Sequence, residues 1–176
     1  WNNPKDTVEV QTSGSTGVPK CIRVEKQRML NSARITCDFL GLKSGDTALL
    51  CMSLDYIAGK MVVVRSIERQ LRLTTVEASG HPLKNITNSF DFAAMVPMQV
   101  YNSLQVAEER EKLRTIKHLI IGGGPINDDL QQQLSSFPNN VWSTYGMTET
   151  LSHIALRRLN GENASLWYTP FNTVSI

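Results

Sequence analysis

Short apolar runs rich in β-branched residues alternate along the chain with longer amphipathic stretches, the arrangement of an α/β protein. Residues 8–12 predict a strand that runs into a Gly/Ser/Thr-rich loop, and Cys21–Glu25 predicts its returning partner, so that a hairpin encloses the loop. From residue 27 to 40 the apolar positions Leu30, Ala33, Ile35, Cys37 and Leu40 predict a helix that Gly41 ends. Further strands are predicted at 47–52, 72–76, 91–96, 116–121 and 141–145, with helices over Ile57–Arg69, 98–104 and Asp128–Ser135. Pro97 stops one strand, Gly122-Gly123-Gly124-Pro125 follows another, and the last runs into the turn 146–151. Strand–glycine–helix units of this kind predict a mostly parallel, helix-covered sheet.

Composition narrows the class without changing the fold. Hydrophobic residues make up 41% and charged residues 19% of 176 positions, which describes a globular domain rather than a disordered chain. The net charge is +2, from 18 basic and 16 acidic side chains spread through the sequence. That balance predicts neither a nucleic-acid nor a membrane partner. The front-end cations Lys20, Arg23, Lys26, Arg28 and Arg34 are interrupted by Glu25 and apolar positions, as on a solvated face. No apolar run approaches the roughly 18–20 residues that cross a bilayer, and the first residues lack the charged-then-apolar order of a secretion signal. Cys21, Cys37 and Cys51 form no CxxC pair and no zinc-like spacing, so buried free thiols in a reducing cytoplasm are expected. The opening Trp1 and the alternating, strand-like close at 173–176 predict a piece of a larger protein.

The candidate chemistry begins in Gln11-Thr12-Ser13-Gly14-Ser15-Thr16-Gly17-Val18-Pro19-Lys20. Gly14 and Gly17 permit close backbone approach, Thr12, Ser13, Ser15 and Thr16 supply hydroxyls, and Lys20 supplies a cation, the parts that hold a polyphosphate. The segment is not a GxxxxGK[ST] loop, because Pro19 precedes the lysine and the next residues read as strand rather than helix. The same composition also suits a Ser/Gly-rich turn between strands. Farther along, Tyr145-Gly146-Met147-Thr148-Glu149-Thr150 offers an aromatic face, a close-approach glycine, a hydroxyl and a hard oxygen ligand for Mg2+. A strand-to-helix turn with Thr148 as its cap would look alike.

Taken together these stretches resemble the adenylate-forming superfamily of acyl- and aryl-CoA synthetases, luciferases and adenylation domains. Thr12 to Lys20 match every specified position of its T-S-G-S/T-T-G-x-P-K loop. Tyr145 to Glu149 match its Y-G-x-T-E motif about 130 residues downstream. Gly122 to Pro125 resemble the G-G-A/G-P turn beside the adenine. The resemblance runs from about Val8 to Pro170 and implies the central part of an ATP-binding N-terminal domain, with 1–176 as one truncated unit. It implies ATP, Mg2+ and CoA as the molecules handled. ATP contacts fall to Thr12, Ser13, Gly14, Ser15, Thr16, Gly17, Lys20, Gly123, Gly124, Pro125, Tyr145, Gly146, Met147 and Thr148. Thr148, Glu149 and Lys20 would serve catalysis, and Glu149 with Thr12 the metal. The family's T-G-D aspartate has no counterpart before Ile176, and the small C-terminal domain with its lysine is absent, so little turnover is expected of 1–176 alone. Exposed apolar flanks would favour self-association.

Within the superfamily, Thr144 to Ser152 and Phe92 to Val100 are most similar to o-succinylbenzoate–CoA ligases of menaquinone synthesis. That likeness implies a two-step ligase for a small carboxylic acid. Tyr56 stands where a common acyl-pocket motif has histidine, and Asp55 where it has an aromatic. Tyr56, Lys60 and Arg65 are the candidate acid contacts, either cation suiting a distal carboxylate. Another acyl- or aryl-CoA synthetase, and a non-catalytic nucleotide-binding module, remain open. His81 and His118 read as loop or strand-edge residues, and His153 as structural.

Overall fold

The structure, a computed structural model, describes residues 1, 3–11 and 21–172. Strands β1 (Thr7–Gln11) and β2 (Cys21–Glu25) pair antiparallel, with Gln11 opposite Cys21, and form a two-stranded sheet of their own. β2 passes directly into helix α1 (Lys26–Leu40), which ends at Gly41 in the left-handed region (φ 66°). The N–H groups of Gly41 and Leu42 turn back to the carbonyls of Asp38 and Cys37, closing the helix as the sequence predicts.

Next come β3 (Thr47–Leu50), α2 (Ile57–Arg69), β4 (Arg72–Thr75), β5 (Phe92–Met95), α3 (Pro97–Leu104), α4 (Ala107–Thr115) and β6 (His118–Ile121). They are followed by α5 (Asp128–Ser135), β7 (Asn140–Gly146), β8 (His153–Arg158) and β9 (Thr169–Pro170). Strands β3 to β9 make one seven-stranded sheet in the order β4-β3-β5-β6-β7-β8-β9. The pairs from β4 through β7 are parallel, and β8 and β9 are added antiparallel.

The central strands are largely apolar because both faces are covered. Leu49, Ala93, Met95, Leu119, Ile121 and Val141 point to one side and pack with Val100, Leu104, Leu113, Leu130 and Leu134 of α3, α4 and α5. The alternate positions Ala48, Leu50, Phe92, Ala94 and Ile120 face Cys37, Leu40 and Val62 of α1 and α2. A third cluster docks the root of the hairpin, Val10 and Val24, on Met29, Ala33, Met61 and Val64. The mixed α/β fold with its largely parallel sheet is thus as read from the sequence. Three elements were not foreseen, α4 and the antiparallel strands β8 and β9. No helix among the described residues is long and apolar enough to cross a membrane.

Candidate active site

Parallel strands place all their C-terminal ends on one edge, the edge where ligands of open α/β sheets bind. Here that edge collects the exits of β3, β5, β6 and β7. The β6 exit is Gly122–Pro125, where Gly122 donates its N–H to the carbonyl of Met95 (3.1 Å). Gly123 has φ 82°, which a side chain would strain. Gly123, Gly124 and Pro125 are exposed at the edge. Beside them Pro97 opens α3, and Gln99 ties the β5 exit to the β3 exit by donating from Nε2 to the carbonyl of Cys51 (2.8 Å).

β7 leaves the sheet through Tyr145 and Gly146, where the pairing with β8 shifts register. Gly146 is required by the protein's own backbone. A Cβ there would run into the Ser152 carbonyl and lie 2.5 Å from Cα of His153. The turn that follows is tightly tied. Met147 N–H donates to Thr150 Oγ1 (2.9 Å), the Thr150 hydroxyl donates to the Ser152 carbonyl (2.7 Å), and Leu151 N–H donates to the Thr148 carbonyl (3.0 Å). Leu151 sits at φ 68°, a left-handed conformation that costs a residue with a side chain on the order of 1 kcal/mol. The turn holds Thr148 half-buried and Glu149 exposed, and Glu149 forms no ion pair among the described residues. Tyr145 is 52% exposed and leans on Tyr168, with ring centroids 5.8 Å apart.

This turn and the hairpin meet. Ile22, Arg23, Val24 and Glu25 of β2, Arg28 of α1, and Thr148, Glu149 and Leu151 line one open hollow of about 150 Å3. Leu151 and Arg28 also border a second hollow of about 290 Å3, completed by Asn31, Ser32, Ile35, Thr150, His153, Ile154 and Phe171. The first is polar and charged, and the second is apolar with a polar rim. Arg28 is paired with Glu25 (3.2 Å) and Arg23 with Glu9 (3.5 Å), both at the surface.

Under the turn lies a buried polar group. Arg65, 2% exposed, donates from Nη2 to Ser152 Oγ (2.7 Å) and, at 3.5 Å, to Thr36 Oγ1. Thr36 Oγ1 lies 3.1 Å from His153 Nε2, and Ser152 Oγ lies 3.3 Å from His153 Nδ1. Burial lowers the Arg65 pKa to about 10, and burial with the nearby guanidinium holds the His153 imidazole well below its ordinary value, so it is neutral.

The structure brings Glu149, Thr148, Tyr145, Gly146, Met147 and the Gly123–Pro125 turn to the same edge. Thr12, Ser13, Gly14, Ser15, Thr16, Gly17 and Lys20 lie outside the described residues. Their flanks, Gln11 and Cys21, are a register pair, and Gln11 also bridges to Tyr56. Tyr56 is 46% exposed just before α2. The two candidate cations are placed otherwise than an open helix face would have them. Lys60 donates to the carbonyls of Leu54 (2.6 Å) and Asp55 (3.0 Å), and Arg65 is enclosed between α1, α2 and the turn. His153 is buried beneath the turn, between Thr36 and Ser152. His118 is buried at the start of β6, in the middle of the sheet. Arg28 and Leu151 were missed. Arg28 looks like any helix surface cation, and nothing in the sequence marks Leu151 as left-handed.

Among the described residues no three His, Cys, Asp or Glu side chains cluster as a metal cage. A single exposed carboxylate such as Glu149 fits a divalent ion that arrives with phosphate oxygens, since Mg2+ commonly takes one or two carboxylates and fills its shell from substrate and water.

Known proteins are similar to this chain in sequence and fold. The chain is 27% identical over 150 residues to 2-succinylbenzoate–CoA ligase of Haemophilus influenzae, covering 84% of this chain and 32% of that one. It is 29% identical over 168 residues to the ligase of the same description from Enterococcus faecalis, covering 88% and 32%. The chain spans about a third of the length of these curated relatives. The crystal structure of an acyl-CoA synthetase (AMP-forming)/AMP-acid ligase II-like protein from Dyadobacter fermentans superposes with TM-score 0.90 at 39% identity, over 96% of this chain and 49% of that one. o-Succinylbenzoate coenzyme A synthetase from Bacillus subtilis, in complex with ATP and magnesium ion, has the same fold at TM-score 0.73 and 22% identity, over 94% and 35%. The sequence profile of AMP-binding enzymes matches residues 2–169, nearly the whole chain, and the chain belongs to that AMP-binding enzyme family.

Proposed function

We propose that this protein is an ATP-dependent acid–CoA ligase that works through an acyl-adenylate, that 1–176 is part of its ATP-binding domain, and that its acid is o-succinylbenzoate. The observation that carries the reading is the hollow shared by β2 and the Thr148–Glu149 turn. It joins the foot of the hydroxyl-rich hairpin to the one exposed carboxylate of the Y-G-M-T-E motif, at the ligand-binding edge of the sheet. The names of the curated relatives support the choice of acid.

In the first step an oxygen of the acid attacks the α-phosphorus of ATP, the bond to pyrophosphate breaks, and the acyl-adenylate forms. In the second the CoA thiolate attacks the acyl carbon and AMP leaves. No side chain acts as nucleophile, so the protein contributes positioning and charge neutralisation. Thr12, Ser13, Ser15, Thr16 and Lys20 would contact phosphates, with Gly14 and Gly17 allowing close approach. Tyr145 and the Gly123–Pro125 turn would flank the adenine, with Gly146, Met147 and Thr148 completing the contact. Glu149, with Thr12, would hold Mg2+, which when bound neutralises developing phosphate charge.

The larger hollow suits the acid. Ile35, Leu151, Ile154 and Phe171 give it apolar walls, and Arg28 at its rim offers a cation to a distal carboxylate. Arg28 lines this hollow, whereas Lys60 donates to the Leu54 and Asp55 carbonyls and Arg65 is buried beneath the turn. Tyr56, exposed at the β3 exit, stays a candidate contact. The two buried free thiols suit a cytoplasmic setting. Leu166 and Trp167, 74% and 81% exposed, form an apolar patch suited to self-association.

A second reading, a ligase for a different acid, is favoured by Asp55 and Tyr56 at the β3 exit and by the generic description of the 39%-identical structure. Exchange of labelled pyrophosphate into ATP, measured on the whole protein over a panel of acids, separates the readings. o-Succinylbenzoate is expected to drive exchange, and Glu149→Gln to slow it by about a hundredfold. Exchange with another acid alone would select the second reading. No ATP–Mg2+ binding, with Glu149→Gln silent, would leave a non-catalytic module.

A further inference from the structure

A buried arginine with no carboxylate against it is an expensive feature that needs a partner to hold. Arg65 has no acidic partner among the described residues, and its Nε is buried with no hydrogen-bond acceptor. Its one short bond goes to Ser152 Oγ, at the end of the turn that carries Thr148 and Glu149. The residue just before Ser152 is Leu151, held at φ 68°. A strained backbone persists only where its surroundings over-determine it.

The donors and acceptors around Arg65 fall into one direction. Arg65 has only N–H groups to give, so Ser152 Oγ accepts from it and its hydroxyl hydrogen turns to His153 Nδ1. The neutral imidazole then carries its proton on Nε2 and donates to Thr36 Oγ1, whose hydroxyl donates to the Ser32 carbonyl. The chain of bonds runs from α2 through the turn and β8 to α1. Protonation of His153 would take the Nδ1 acceptor away from the Ser152 hydroxyl hydrogen and set a second cation beside the guanidinium.

We infer that Arg65 is a positioning residue: through Ser152 it latches the turn and keeps Leu151 left-handed, so that Leu151 forms the wall between the two hollows and Glu149 stays at the mouth of the smaller one. Leu151 borders both hollows, so its conformation sets how the two ligands sit relative to each other. Arg65 itself lines neither hollow. The inference rests on the ligase reading for what the hollows bind, but the latch is a property of the unliganded protein.

The test is a double-mutant cycle between Ser152→Ala, which removes one hydroxyl, and Leu151→Gly, which makes the left-handed backbone unstrained. Amide hydrogen exchange over residues 147–153 is followed in the unliganded protein, with KM for ATP–Mg2+ and for the acid measured in parallel. Ser152→Ala is expected to speed exchange of the turn about tenfold and raise KM for ATP–Mg2+ about tenfold. In the Leu151→Gly background the same substitution should change either quantity less than about threefold. Arg65→Lys, which keeps the cation and a donor, should fall between wild type and Arg65→Met. Equal effects of Ser152→Ala in both backgrounds, or unchanged exchange of the turn, overturn the latch. A coupled exchange result in a protein that binds no ATP–Mg2+ would keep the latch and remove the ligase reading.

Discussion

Burial pushes the Cys51 thiol up to about 12 and the Cys37 thiol up to about 11, so neither forms appreciable thiolate near neutral pH. Cys21 is exposed at the head of β2. Alkylation of the native protein with iodoacetamide at pH 8 should therefore label Cys21 alone, and the other two only after unfolding, as peptide mass mapping would show. Labelling of Cys37 in the native state would mean that the α1–α2 interface opens. Composition pointed to three buried free thiols, which holds for Cys37 and Cys51 but not for Cys21, whose strand head is open to water. Arg65 shows the same limit. Helix α2 is apolar over most of its circumference, so its sequence pattern does not say which way a lone cation points, and only the packing of α1 and Ser152 decides it. The motif residues behaved differently. Tyr145, Gly146 and Glu149 are legible because their types are tied to a chemistry as well as to a local shape.

Elements with a single apolar stripe or run were legible, and those held by polar contacts were not. Helix α4 buries only Glu109 and Leu113, leaving no apolar periodicity to read; its signal is the acidic first turn and basic last turn that oppose the helix dipole. Glu109 is held by Ser103 (2.9 Å) and His81 (3.0 Å), partners remote enough in sequence that no pattern announces them. The β7–β8 pair depends likewise on Asn160. That side chain, 1% exposed, accepts from Val141 N–H (3.1 Å) and Arg158 Nε (2.9 Å), and donates to the carbonyls of Phe137 (2.8 Å) and Asn139 (2.7 Å). Asn160→Ala leaves those buried groups without partners and should lower stability by about 2–3 kcal/mol. Chemical denaturation with both tryptophan fluorescence and circular dichroism would measure it. A loss below about 0.5 kcal/mol would show that water replaces the amide without penalty.

At the scale of the molecule, the order β4-β3-β5-β6-β7 could not be read from the sequence, yet its main consequence could. Any parallel sheet built from these strands puts the loops after β3, β5, β6 and β7 on a common edge, which is where the glycine turn and the Y-G-M-T-E turn are found. The antiparallel return through β8 and β9 was invisible because β8 is half polar and β9 only two residues long. The curated relatives are about three times the length this chain spans, and the ligase reading assigns the ribose and lysine contacts to the remainder. Pyrophosphate exchange by residues 1–176 alone is accordingly expected at under about 1% of the whole protein's rate, a loss typical of removing charge-stabilising groups. Comparable rates would place all the machinery of the first step in these residues.

The direct junction of β2 with α1 has a mechanical outcome. Glu25 ends the strand and Lys26 begins the helix, so the hairpin and α1 form one lever with its fulcrum where Val10 and Val24 rest on Met29, Ala33, Met61 and Val64. Tilting the hairpin toward a seated ligand must either bend the backbone at that single joint or swing α1, whose far end carries Phe39 edge-on against Trp142 and Phe171. Motion at the mouth of the cleft is thereby geared to the aromatic contacts beneath β7 and β9.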